Sequence, residues 1–188
     1  MNNLRERCAA GWRHHLWLAL LVAASFVCTF GLACAVPFAA FGAIAAMTLH
    51  RRDALLLTAA LWLINQIVGF TVLHYPWDGM TLAWGAILGI IAVLSMLAAQ
   101  IAIRGQRVVT TVIAGLAAAF VVYEGGLYLV AATVMGGTED FAAAIIIRIF
   151  ALNAGALAVL LTAGFLIAAA GSRDRTGVHA ALTVARGK

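Results

Sequence analysis

Two charged side chains lie inside long apolar stretches of the chain, where ionisable groups are costly. Glu124 falls in the stretch 108–135, and Arg148 falls in the stretch 141–171. At the helical rise they lie about 18 and 12 Å from the nearest ends of those stretches, so adjacent antiparallel helices would hold them at similar depth. The sequence therefore predicts an ion pair between them, which either fixes helix register or leaves one member facing a polar ligand.

A second group of polar and aromatic residues begins in the second half of the stretch 54–75 and continues into the next stretch. Amides in hydrocarbon usually bond to a neighbouring helix, and Trp and Tyr at the end of a span usually form an interfacial belt. All of these residues nevertheless fall at mid-depth or on one side of the membrane, which predicts a polar and aromatic cavity open to that side. The predicted ligand contacts are Asn65, Gln66, His74, Tyr75, Trp77, Asp78, Trp84, Tyr123, Glu124 and Arg148.

The residue types needed for catalysis do not form a recognisable motif. The chain has no HExxH, no GxSxG and no paired aspartate motif, and His74 has no obvious nucleophile or base partner in sequence. The three cysteines, Cys8, Cys28 and Cys34, form no CxxC pair and are expected to be small apolar helix residues. We therefore expect no enzyme activity and no resident cofactor, whereas His74 is either a transition-metal ligand or an interfacial residue.

The elements that position these residues are apolar helices. The chain has 188 residues, of which 65% are hydrophobic and 10% charged, whereas soluble domains carry roughly 25% charged residues. This composition predicts an all-α, polytopic membrane protein with a six-helix membrane domain at 16–171, an N-terminal segment at 1–15 and a tail at 172–188. The predicted spans are about 16–35, 36–49, 54–75, 79–103, 108–135 and 141–171.

Basic residues give the predicted topology. Eleven of the twelve fall in four clusters, which follow every second span, whereas the alternate loops at 76–78 and 136–140 contain none. The positive-inside rule then places both termini in the cytoplasm of a cell with an inner (plasma) membrane, and a nucleic-acid partner is not expected despite the net charge of +5. The clusters are Arg5, Arg7 and Arg13; Arg51 and Arg52; Arg104 and Arg107; and Arg173, Arg175, Arg186 and Lys188.

The second stretch, 36–49, is the least regular of the six. It is short enough to be a tilted span, a re-entrant segment or half of a tight hairpin, with Gly31 and Pro37 marking the turn. The alternation of basic clusters favours a crossing here. A competing interpretation treats the basic start, the apolar run and Ala33-Cys34-Ala35 as a cleavable signal, although the sequence stays apolar beyond that point.

Parts of the first four spans resemble the substrate-binding (S) components of energy-coupling-factor (ECF) vitamin transporters. The similarity lies in Asn65-Gln66-x-x-Gly69-Phe70, Tyr75-Pro76 and Thr81-Leu82-Ala83-Trp84-Gly85, and it is greatest to the solitary cobalamin-binding BtuM type. The resemblance implies a six-span protein that captures a micronutrient from outside. It also implies that Ala19 and Ala23, an Ala-x-x-x-Ala pair in the first span, dock an ECF coupling subunit that works with ATPases.

One position departs from the cobalamin-binding pattern. The resemblance implies a cobalt-coordinating cysteine near the outer loop after the third span, yet no cysteine follows Cys34 in this chain. His74 occupies that region and becomes the candidate ligand for the cobalt of a bound corrinoid. We therefore expect a capture subunit for cobalamin or a related corrinoid. The alternative is a structural or assembly protein of the membrane that binds no small molecule and uses its small-residue faces as interfaces.

Overall fold

The computed structural model describes residues 2–32, 36–104 and 108–186. In this part of the chain there are six α-helices and no strand. The helices are α1 (Asn2–Leu32), α2 (Phe38–Thr48), α3 (Arg51–Thr71), α4 (Gly79–Ala102), α5 (Val108–Val130) and α6 (Ala143–Arg186). A π-helical turn, Ala131–Met135, extends α5, and a short 3-10 helix, Thr138–Phe141, precedes α6.

Five of the helices are long and apolar enough to cross a membrane. Their candidate spans are Arg13–Gly31, Arg51–Thr71, Gly79–Ala102, Thr110–Met135 and Ala143–Ala168. Each lies within a few residues of a stretch predicted from sequence. The prediction of an all-α, multi-pass helical bundle is therefore confirmed.

The second stretch differs from the prediction. Helix α2 has only 11 residues, so it is about 16 Å long, and the hydrocarbon core is about 30 Å thick. Residues 36–46 are all buried, because α2 packs against α3, α4, α5 and α6 in the interior of the bundle. A short helix is tolerated at membrane depth when protein surrounds it. The segment 36–49 is thus a central helix shorter than a full span.

Two close contacts hold α2 in place. A Cβ atom added to Gly42 would lie 3.3 Å from the Met96 Cα, which shows how closely α2 approaches the backbone of α4. Pro37, at the N-cap, makes no side-chain capping bond. Instead, the Ala40 backbone N–H donates to Asn153 Oδ1 of α6 at 2.9 Å. Asn153 therefore satisfies one of the helix N–H groups that would otherwise be unpaired inside the bundle.

The start of α1 is joined to α2 and α3 at one end of the bundle. Trp17 Nε1 donates to Thr48 Oγ1 at 3.1 Å, which ties α1 to the last residue of α2. His14 Nε2 lies 3.4 Å from Asp53 Oδ2, in the first turn of α3. These contacts place the N-terminal part of α1 beside the end of α2 and the beginning of α3.

Helix α6 reaches the same end of the bundle from the opposite direction. The Arg13 guanidinium donates to the carbonyl oxygens of Ile167 and Ala168, each at 3.4 Å. The Trp17 ring also lies against Gly164, where an added Cβ would be 3.1 Å from the indole. Beyond this contact α6 continues as a helix to Arg186.

We call this end of the bundle the basic end. It carries Arg13, Arg51, Arg52 and Arg104, and Arg104 follows the C-terminus of α4. The opposite end, formed by residues 72–78 and 136–142, is the loop end. The helices thus run alternately up and down, as the basic clusters predicted. Arg107, Lys188 and the Ala33-Cys34-Ala35 sequence lie outside the described residues.

Candidate functional site

The segment after α3 folds back onto its own helix at the loop end. The Tyr75 backbone N–H donates to the Gly69 carbonyl at 3.0 Å, and the Tyr75 ring covers Gly69, where a Cβ would lie 2.6 Å from the ring. Phe70 contacts both neighbouring aromatics, with its ring centroid 6.2 Å from that of Tyr75 and 4.5 Å from that of Trp77. Only glycine leaves room at position 69 for this aromatic cluster.

His74 lies at the turn of the same segment. Its φ of 54° is in the left-handed region, which few residues other than glycine adopt. The side chain is exposed, and the nearby Trp77 is 74% exposed. His74 and Trp77 are therefore both exposed at the loop end.

Asp78 caps the beginning of α4. Its carboxylate accepts the Thr81 backbone N–H at 2.8 Å and the Thr81 hydroxyl at 3.2 Å. The hydrogen bond from the Thr81 backbone lowers the pKa of the Asp78 carboxyl below its ordinary value. Asp78 thus has a structural task in addition to any contact with a ligand.

At mid-depth, the predicted amides belong to the interface between α3 and α4. Asn65 is buried, and it accepts a hydrogen bond from Gln66 Nε2 at 3.3 Å. The Gln66 side chain lies over Gly85, while Trp62 Nε1 donates to the Gly85 carbonyl at 2.8 Å and its ring covers Gly89. Trp62 was not among the predicted site residues. The spacing of Gly85 and Gly89 is the sequence signal that could have identified its packing surface.

Tyr123 and Glu124 lie in the middle of α5, where α2 begins. The Tyr123 ring stacks on Phe38 at a centroid distance of 5.9 Å, so α2 reaches from the basic end to about the depth of Tyr123. Asn65 lies about 21 Å along α3 from Arg51 at the basic end. This distance exceeds the length of α2, which is roughly 16 Å. Glu124 and Asn65 therefore lie at or beyond the buried N-terminus of α2, toward the loop end.

The predicted ion pair is not formed. Among the described residues, the only ion pair joins His14 and Asp53, and Glu124 is buried whereas Arg148 is exposed. The Phe120 and Phe150 rings meet at 5.0 Å, so Glu124 and Arg148 differ in depth by only about 3 Å.

Direction around the helix axis separates the two charges. Ile146 packs against the core, and Arg148, two residues later, points about 200° away from it. Arg148 therefore lies on the outside of α6, where its long side chain can extend toward the bilayer interface, since α6 begins only about 8 Å away. The similar depth that the sequence predicted for Glu124 and Arg148 agrees with the structure, but the two side chains do not face each other.

The remaining predicted residues occupy two different surfaces. Trp84 is half-buried near the start of α4, on the loop side of Gly85. Ala19 and Ala23 are both exposed on α1, on the face opposite the buried Trp17 and Leu21. The Ala-x-x-x-Ala pair is therefore accessible to a partner in the membrane.

Ser25 is a buried polar residue that the sequence did not single out. It is fully buried on α1, and its hydroxyl has no hydrogen-bond partner among the described residues. A single serine within an apolar run carries no signal that distinguishes it from a serine bonded to its own helix.

Taken together, the geometry brings His74, Tyr75, Trp77 and Asp78 onto one loop and Asn65 and Gln66 onto one interface, with Arg148 turned away. Within the described ranges no three His, Cys, Asp or Glu side chains come together as a metal site.

The fold defines a multi-pass helical membrane protein. Compared with family models, with curated proteins and with solved structures, the chain matches none.

Proposed function

We propose that the protein is a substrate-capture subunit of a bacterial-type inner membrane that binds a micronutrient from the outer side. The supporting observation is the difference between the two ends of the bundle. At the basic end, α2 fills the centre with apolar side chains, and contacts from Arg13, His14 and Trp17 join α1 to its neighbours. Among the described residues, this end offers a ligand no polar route onward without a partner.

The loop end has the opposite character. Aromatic side chains of the segment 70–77 lie at its surface, and the amides of Asn65 and Gln66 lie below them at the interface between α3 and α4. Ligand sites combine apolar and aromatic walls with a few polar groups, which is the composition found here. By the positive-inside rule, this end faces outward.

The ligand that we propose is cobalamin or a related corrinoid. His74 is the residue that supports this choice, because a neutral imidazole is a competent ligand for cobalt and this side chain is exposed at the outer loop. A partner then assists release of the ligand to the cytoplasm. The exposed Ala19 and Ala23 on α1 are the surface on which a coupling subunit docks.

Absorbance spectra of the purified protein test this proposal. Protein isolated from cells supplied with cyanocobalamin should carry a bound corrinoid, and His74→Ala should shift its spectrum because the axial ligand of cobalt is lost. His50→Ala is the matched control, since His50 is an exposed histidine at the basic end and makes no side-chain capping bond there. Colourless protein with no measurable corrinoid binding would contradict the proposal.

A structural or assembly role is the second candidate, and the exposed α1 face around Ala19 and Ala23 is the observation that favours it. In that case the face is an interface for another membrane protein, and no small molecule is bound. Uptake measurements separate the two functions. An assembly protein requires that loss of the protein from the membrane leaves corrinoid uptake unchanged.

A further inference from the structure

Glu124 is a buried carboxyl for which the described residues provide no partner. It is 8% exposed, and within the described part of the chain it makes no hydrogen bond or ion pair. The described cation at similar depth, Arg148, points away from the core. A buried carboxylate without a cation is strongly unfavourable, so the position calls for a positively charged group from outside the chain, or for a proton.

Aromatic contacts flank Glu124 along the helix. Phe120 lies one turn toward the basic end and Tyr128 one turn toward the loop end, so all three share one face of α5. Phe120 meets Phe150 of α6 at 5.0 Å, and Tyr128 meets Phe141 at 5.4 Å. The carboxyl therefore lies between two aromatic pairs that connect α5 to the α6 segment.

Helices α5 and α6 make few direct contacts with each other. Helix α2 lies between them only on the basic side of Tyr123, and on the loop side the Tyr128–Phe141 rings make the contact. The Phe120–Phe150 contact places Ala143, at the start of α6, about 4 Å nearer the loop end than Glu124, and its small side chain is exposed. A ligand that approaches from the loop end therefore passes beside the Tyr128–Phe141 contact.

We infer that Glu124 binds the head group of an organic ammonium cation, held between the Phe120–Phe150 and Tyr128–Phe141 pairs. A carboxylate among aromatic faces attracts such a head group by charge and by the ring quadrupoles. An anion is repelled by the carboxylate. A transition metal lacks additional His, Cys, Asp or Glu ligands among the described residues.

This site is distinct from the one proposed for the corrinoid. His74 lies in the segment beyond α3, whereas Glu124 lies about 9 Å inside the C-terminal end of α5, on another helix pair. Loss of one ligand therefore need not affect the other. His74→Ala should therefore leave cation binding unchanged.

Calorimetry with a matched pair of probes tests the inference. The probes are choline and its neutral carbon isostere 3,3-dimethyl-1-butanol, added to purified protein in lipid nanodiscs. The unmodified protein should bind choline at least tenfold more tightly than the alcohol. Glu124→Gln should weaken choline binding at least tenfold and abolish the preference, whereas Glu139→Gln, at an exposed carboxyl near the loop end, should change neither.

If Glu124→Gln fails to fold, the difference in affinity between choline and the alcohol on the unmodified protein still tests whether the site binds an ammonium cation. Tyr128→Leu provides a second variant and should weaken choline binding severalfold, since it removes an aromatic wall. Absence of choline binding, equal binding of the two probes, or unchanged binding in Glu124→Gln would overturn the inference.

Discussion

At the scale of single residues, Glu124 and Arg148 lie at a similar depth in the bundle, but their side chains point in different directions around their helix axes. Counting residues from the ends of the apolar stretches placed Glu124 and Arg148 at nearly one level, and the contact between Phe120 and Phe150 agrees with that estimate. Which way each side chain points depends on how each helix is rotated about its axis. That rotation is set by packing, and α2 takes part in this packing because it contacts both α5 and α6.

A double-mutant cycle on Glu124→Gln and Arg148→Gln tests whether these two side chains form an ion pair. Because the two side chains do not face each other, the coupling free energy should stay below about 0.5 kcal/mol. A buried ion pair would instead make removal of either partner cost about 3–5 kcal/mol. The free energy of unfolding of the single and double variants, measured by denaturant titration in detergent, gives the coupling. A coupling of several kcal/mol would contradict the structure.

The Asp78 cap predicts a pH-dependent contribution to stability. The pKa of Asp78 is lowered in the folded protein, so its charged form stabilises the fold above the unfolded pKa, and this contribution is lost as the pH falls below about 4. Asp78→Asn keeps a capping side chain without the charge. Its Tm should therefore be lower than that of the unmodified protein at neutral pH, and this difference in Tm should narrow as the pH falls below the unfolded pKa of about 4.

Thermal unfolding of both proteins in detergent, across this pH range, is the measurement. Asp140→Asn is the control because Asp140 is an exposed carboxyl at the same end of the bundle. A gap in Tm that stays constant with pH would contradict the assignment of Asp78 as a charged cap.

At the scale of elements, five helices followed directly from apolar length, whereas the character of α2 did not. The segment 36–49 is as apolar as its neighbours, and the basic clusters require the chain to return to the basic end between α1 and α3. Sequence alone does not reveal that neighbouring helices bury α2 on every side. The relevant signals are its high content of Ala and Gly, which permits close approach to α4 at Gly42, and the isolated Asn153 in α6.

Asn153→Ala tests how the buried start of α2 is stabilised. The substitution removes the acceptor of the Ala40 N–H at a residue that is only 1% exposed. Leaving that donor unpaired should lower the free energy of unfolding by about 1–3 kcal/mol. Thr162→Ala is the matched control on α6, because Thr162 is exposed and bonds only within its own helix. Equal, small effects of the two substitutions in a denaturant titration would show that Asn153 does not cap α2.

At the scale of the whole molecule, the alternation of basic clusters predicted which helix ends come together. The contacts of His14 with Asp53 and of Arg13 with the carbonyls of Ile167 and Ala168 join those ends. The sequence also predicted that polar and aromatic residues gather toward one side. The sequence did not predict that α2 fills the centre of the basic end, because this depends on the depth at which α2 begins.

Sidedness of ligand binding tests the central claim most directly. Radiolabelled cyanocobalamin is added to right-side-out and to inverted membrane vesicles that contain equal amounts of the protein, with vesicles lacking the protein as the blank. The account predicts saturable binding to right-side-out vesicles and little to inverted ones, because the loop end faces outward and α2 fills the basic end. Equal binding in both orientations, or binding only to inverted vesicles, would contradict outward-facing capture.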